Sequence, residues 1–194
     1  MKNSEARRLK QKANVEAAVA SATIEKGILL IITGNGKGKT TAGFGTAVRA
    51  LGHDQKVAVV QFVKGNGECG ERNLLTKLDV PFHTMNTGFS WNSEDIEQDK
   101  AKAREAWQQA QQWLADPTID LLLLDELTYM VTWGFLELDS ILTALRERPS
   151  EMSVVITGRA AHRELKALAD TVSEVRSEKH AFESKIAARK GVDF

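Results

Sequence analysis

The sequence predicts an α/β protein with three layers, a mostly parallel sheet carrying helices on both faces. Three observations predict it. A continuously apolar run at residues 28–33 and strongly apolar runs at 57–63 and 119–125 have the character of buried strands. Helix-like stretches separate them, and strands alternating with helices imply a parallel sheet covered on each side. A chain of 194 residues with 42% hydrophobic and 27% charged residues can bury one ordinary core.

Residues 1–26 stand apart. Lys2, Arg7, Arg8, Lys10 and Lys12 outnumber Glu5 in the first twelve positions, and an Ala-rich stretch follows through Ala22. Val15 and Val19 lie four apart, on one side of a helix. Two readings stay open for this basic arm: a solvated, partly disordered segment, or a helix that folds over a ligand as a mobile lid. Residues 27–194 read as a single domain.

The domain's elements follow in order. After the strand at 28–33, a helix is expected from Lys39 to Leu51. Its Gly43 and Gly45 would permit close helix–sheet packing. A strand at 57–63, a loop with Gly65, Gly67 and Gly70, a helix at 71–78 and a strand at 80–85 come next. A long helix at 94–115 can be capped by Ser93, with Glu94 and Asp95 at the positive end of its dipole. Ala103, Ala106, Trp107, Ala110, Trp113 and Leu114 mark its buried face, and Trp133 is also expected in the core. The strand at 119–125 precedes a helix at 138–148 stopped by Pro149. A strand at 153–157, a helix at 160–169 and a strand at 171–175 complete the pattern. Ligands of such sheets sit at the carboxyl ends of the strands, so functional residues are expected just after each one.

Composition narrows the function. There are 26 basic and 26 acidic residues, and a polyanion binder would show a basic excess, so nucleic acid is not the expected partner. A single cysteine, Cys69, excludes an intramolecular disulfide and suits a reducing cytoplasm. The apolar runs are too short to span a bilayer, and no apolar segment of secretory type follows the N-terminal charges.

The strongest motif follows the first strand. Gly34, Asn35, Gly36, Lys37, Gly38, Lys39, Thr40 and Thr41 resemble the Walker A loop of P-loop proteins, so the fold is expected to be P-loop NTPase-like. The usual spacing would require a glycine at position 33, which is Thr33; with Gly34 in that role the loop is one residue short. Its glycines let backbone N–H groups converge on phosphate oxygens, and the helix beginning near Lys39 adds positive potential. Lys39 adds a full charge, and the Thr40 hydroxyl can ligate Mg²⁺. Asp125 and Glu126, ending a strand expected beside the first, match the Walker B position that holds the metal directly or through water. Sequence does not decide which of the two is the inner ligand.

Other signals fail on context. Thr76-Lys77-Leu78-Asp79 matches a guanine-reading pattern but precedes the Walker B-like strand and falls on a helix. His53, His83, His162 and His180 are scattered, and with one cysteine no zinc signature exists. No G-x-S-x-G elbow is present.

Several stretches go beyond a generic P-loop. They are the GNGKGKTT loop, Lys64-Gly65, Gly70-Glu71-Arg72-Asn73-Leu74-Leu75, Thr87-Gly88-Phe89-Ser90-Trp91, Asp125-Glu126-Leu127-Thr128-Tyr129, Thr157-Gly158-Arg159 and Lys179-His180-Ala181-Phe182. In this order they resemble the bacterial ATP:cob(I)alamin (corrinoid) adenosyltransferases of the P-loop type, and the one-residue-short loop is what that family has. The resemblance implies alkyl transfer: Co(I) attacks the 5′ carbon of ATP and expels triphosphate. It also implies ATP lying reversed in the loop, with Lys39 and Thr40 stabilising the leaving group and Thr40, Asp125 and Glu126 around Mg²⁺ (or Mn²⁺). Phe89 and Trp91, which composition alone would assign to the core, would pack under the corrin and displace its lower axial ligand. An electron-donating flavoprotein and a homodimer are further implications. Two other classes remain in view: a kinase or ATPase acting at the γ-phosphate, for which Arg159 could serve, and a nucleotide-gated adaptor.

Overall fold

The computed structural model describes residues 2–63, 69–85 and 96–194, with side chains from Glu5 onward. Phe89, Ser90, Trp91, the Ser93 cap with Glu94 and Asp95, and Lys64, Gly65 and Gly67 lie outside the described residues. The described strands are β1 (Leu29–Thr33), β2 (Val57–Gln61), β3 (Phe82–Thr84), β4 (Leu121–Asp125), β5 (Ser153–Thr157) and β6 (Thr171–Glu174). They form one sheet in the order β3-β2-β4-β5-β1-β6, with every pairing parallel. The helices are α1 (Lys2–Ser21), α2 (Lys39–Leu51), α3 (Gly70–Lys77), α4 (Ile96–Leu114), α5 (Leu127–Thr132), α6 (Leu138–Glu147) and α7 (Arg163–Leu168), with a 3-10 turn at Ala181–Ser184.

The alternation of side chains along each strand builds two cores. Ile31, Val60, Leu122, Leu124, Val154 and Ile156 face one layer, where Trp107, Met130, Ile141 and Leu145 from α4, α5 and α6 cover them. Ile32, Val59, Leu121, Leu123 and Val155 face the other, under Phe44 and Ala47 of α2 and Leu75 of α3. The three-layer α/β expectation therefore holds, for the reason given by the sequence: these strands are apolar on both faces because both faces are covered.

Four expectations need correction. The strand ending in Asp125 is not beside β1, because β5 pairs with both and separates them. Its Thr157 reaches from β5 to the Asp125 side chain, which makes the insertion chemically continuous. Gly43 does permit close packing, since a Cβ there would stand 2.9 Å from Thr157 Cγ2 and 3.0 Å from Leu123 Cδ1, but a Cβ on Gly45 would meet nothing within 4 Å. Trp107 is buried and its Nε1 donates to Ser140 Oγ (3.1 Å), whereas Trp113 and Trp133 are only partly buried at the edge of the core. The helix expected from 160 starts at Arg163, because Ala160 has a positive φ of 49° and His162 caps the helix by accepting from Glu164 N–H. The short helix α5 had no expectation at all.

Helix α1 is exposed from Glu5 to its end. The chain enters the sheet through a clamp: Asp170 accepts from Leu29 N–H (2.9 Å) and pairs with Lys26. The Leu29 N–H and then Lys26 hold the Asp170 carboxyl below the usual range. No helix among the described residues is long and apolar enough to cross a membrane.

Candidate active site

Because all strands are parallel, their carboxyl ends share one edge of the sheet. The loop after β1, Glu126 after β4 and Arg159 after β5 meet there, around a cleft of about 520 Å³. Asn35, Gly36, Lys37, Gly38, Lys39, Thr40 and Thr41 line it, facing Glu71 and Leu74 of α3 and the C-terminal residues Val192, Asp193 and Phe194.

The loop takes its shape from its glycines and from β6. Gly34 and Gly38 have φ of 104° and 114°, which side-chain-bearing residues avoid, and Gly38 stands at the N-terminus of α2. Val175, just past β6, donates its N–H to Thr33 O (2.8 Å) and accepts one from Gly36 (2.8 Å). The Gly36 amide is thus committed to holding the loop. Lys39, the first residue of α2, is only 7% exposed, and its Nζ donates to Gly36 O (2.8 Å). Burial lowers its pKa; the Glu126 charge opposes this, Arg159 adds to it, and Asp125 opposes it more weakly. Lys39 thus feels charges that come from two other strand ends.

The acidic pair divides its work. Asp125 is fully buried; its Oδ1 accepts from Thr157 Oγ1 (2.7 Å) and its Oδ2 from Gln61 Nε2 (2.8 Å). Glu126 follows in a left-handed conformation (φ 61°) and lines the cleft with Thr40. Its N–H donates to Thr157 Oγ1 (2.9 Å), so one hydroxyl bridges both residues. Gly158 makes room behind them: a Cβ there would stand 2.1 Å from Thr128 Oγ1 and 3.1 Å from Glu126 Oε2. Tyr129, one turn along α5, has its hydroxyl pKa raised by burial first and by Glu126 second, with Arg159 opposing.

The buried loop lysine Lys39, the Thr40 hydroxyl, the Glu126 carboxylate and the Arg159 guanidinium thus share one cleft. The profile of the ATP:corrinoid adenosyltransferase family BtuR/CobO/CobP matches residues 25–194. The chain belongs to this family. Corrinoid adenosyltransferases resemble it over nearly its whole length. That of Escherichia coli K12 is 53% identical over 97% of this chain and 96% of its own, and that of Salmonella typhimurium LT2 is 50% identical over the same shares. One from Pseudomonas aeruginosa is 46% identical over 95% and 92%. Among solved structures, domain III of the Thermotoga maritima replication initiation protein DnaA aligns at TM-score 0.37 and 17% identity, covering 86% of this chain and 61% of that one.

Within this family member, the predicted residues Asn35 to Thr41 and Glu126 come together at the cleft, whereas Gly34 is not in its wall and Asp125 is fully buried outside it. Sequence reasoning missed Gln61, the bridging role of Thr157, and the contribution of residues 191–194, though the Lys179–Phe182 stretch it singled out does bring His180 to the cleft. A polar residue ending an otherwise apolar strand, as Gln61 and Thr157 both do, was the available signal for the first two.

Proposed function

We propose that the loop at residues 34–41 holds the triphosphate of ATP while the Co(I) of a corrinoid substrate attacks its 5′ carbon. The cobalt–carbon bond forms as the carbon–oxygen bond breaks, and the electron pair leaves with inorganic triphosphate. The observation that carries this reading is the convergence of Lys39, Thr40, Glu126 and Arg159 on one cleft in a chain of this family. Charge accumulates on the leaving triphosphate, so donors fixed around it stabilise the transition state more than the ground state. Lys39 is the central donor, Lys37 and Arg159 flank it, and Asn35, Thr41 and the remaining loop amides position the chain of phosphates.

The donor set fits Mg²⁺ (or Mn²⁺). Such ions are held by one or two protein oxygens together with substrate phosphates, and no group of three or more His, Cys, Asp or Glu among the described residues would hold a metal alone. Thr40 and Glu126 would be the direct ligands. The two oxygens of Asp125 are both occupied by hydrogen bonds, which suits it to fixing Thr157 and, through it, Glu126. When bound, the ion would offset charge on the departing triphosphate.

Phe89 and Trp91 would meet the lower face of the corrin and displace its axial ligand, easing reduction of Co(II) by an electron-donating flavoprotein. The arm at residues 1–26 would close over the bound corrinoid beside the domain formed by 27–194. A homodimer working in the cytoplasm completes the reading. Phosphorus NMR with cob(I)alamin and MgATP tests it: triphosphate should appear one-for-one with adenosylated corrinoid. Stoichiometric ADP and orthophosphate would instead place the chemistry at the γ-phosphate.

A further inference from the structure

The last residues of the chain return to the phosphate loop. Asp193 Oδ1 lies 2.7 Å from Lys37 Nζ. Its other oxygen, Oδ2, accepts from the Arg189 N–H (2.8 Å), while the Asp193 N–H donates back to Arg189 O (2.8 Å) and Gly191 N–H donates to Phe194 O (2.8 Å). The tail is therefore a closed turn with a fixed carboxylate aimed at the loop, and Val192 and Phe194 form part of the cleft wall. We propose that Asp193 is a positioning residue for adenosyl transfer, holding Lys37 over the phosphate loop, with residues 189–194 as a C-terminal clasp on the nucleotide.

The chemistry favours positioning over neutralisation. An ammonium has three donors, and Asp193 engages one, leaving two for phosphate oxygens. Lys37 is otherwise a long side chain on an exposed loop, 45% accessible even with its partner in place, and its rotamers would have to be ordered each time ATP binds. A partner anchored by the backbone does this ordering in advance. The Lys37 contact first, and the Arg189 N–H second, keep the Asp193 carboxyl below its usual range, with His180 adding to the effect.

The inference rests on residues 34–41 being the phosphate site, so the test separates the two. Steady-state rates are measured against MgATP at saturating cob(I)alamin for Asp193→Ala, Asp193→Glu, Lys37→Ala, the double variant, a chain lacking residues 191–194, and Lys39→Ala. Asp193→Ala should raise KM for ATP about three- to tenfold with kcat within about twofold, as expected for lost preorganisation. Asp193→Glu should recover part of the loss, the truncation should match or exceed Asp193→Ala, and the substitution should add nothing in the Lys37→Ala background. An unchanged or lowered KM in Asp193→Ala, or an equal effect with and without Lys37, overturns the proposal while Lys39→Ala remains impaired. Near-normal turnover by Lys39→Ala overturns the phosphate site itself.

Discussion

Thr157→Val is the most diagnostic single change at the acidic end of the site. The substitution keeps the shape of a fully buried side chain and removes one hydroxyl that does two things. It donates to Asp125 Oδ1 at 2.7 Å and accepts from the Glu126 N–H at 2.9 Å. A hydrogen bond to a carboxylate contributes about 1.5–3 kcal/mol and one between neutral groups about 0.5–1.5 kcal/mol, so the two together come to roughly 2–4 kcal/mol. The loss should sit towards the upper end, because the Asp125 carboxylate stays fully buried and water does not reach it to replace the hydroxyl. With a urea dependence of about 1–3 kcal/mol per molar, the unfolding midpoint should fall by roughly 1 M or more. Glu126 loses the bond that fixes its left-handed backbone, so KM for MgATP should rise as well. Thr157→Ser keeps the hydroxyl and should lie close to the wild type in both assays. Equal losses in the valine and serine variants would refute the reasoning, since only the methyl group would then matter.

Four further outcomes are expected. Lys39→Ala should weaken ATP binding about tenfold to a hundredfold, the range for a charge-assisted contact, and calorimetry reads it directly. Because burial lowers the Lys39 pKa and bound phosphate favours its charged form, ATP affinity should fall as pH rises through the lowered value on the alkaline side. Binding should take up protons there, and an enthalpy independent of buffer ionisation would count against it. Phe89→Ala and Trp91→Ala should impair turnover from Co(II)-cobalamin with a weak reductant much more than turnover from pre-reduced cob(I)alamin; equal losses would mean the aromatics only support the fold. Removing residues 1–24 should leave a folded chain that binds ATP but uses corrinoid poorly, because α1 is exposed along its described side chains and the Lys26–Asp170 clamp is retained. A truncated chain that melts without cooperativity would rule this out.

The parts that sequence made legible share a physical character. β2, β4 and β5 are local, apolar and repetitive in burial, and the phosphate loop needs glycine at points of positive φ, so each writes itself into neighbouring residues. Strand order does not. Placing β5 between β1 and β4 depends on pairings such as Leu29 with Val154 and Leu121 with Ser153, which no short window contains. α5 is six residues long and begins immediately after β4, too short for a helical period to show. The tail that carries Asp193 is polar and aperiodic; its role lies in where it ends up, not in its pattern. Asp125 and Glu126 are adjacent in sequence, and only their opposite directions, one beneath the sheet edge and one into the cleft, distinguish them.

The position of β1 also bears on when the proposed nucleotide site can form during synthesis. The first strand made is flanked in the finished sheet by the last two, β5 and β6, and the loop after it is held by Val175. On the ribosome, the GNGKGKTT segment emerges early but has neither neighbour until almost the whole chain has followed. Contacts of such long sequence separation form slowly, because loop closure must precede them. The loop of the proposed ATP site should therefore take its shape late in folding, and fragments ending before residue 175 should carry the full phosphate motif yet lack the pairing that shapes it.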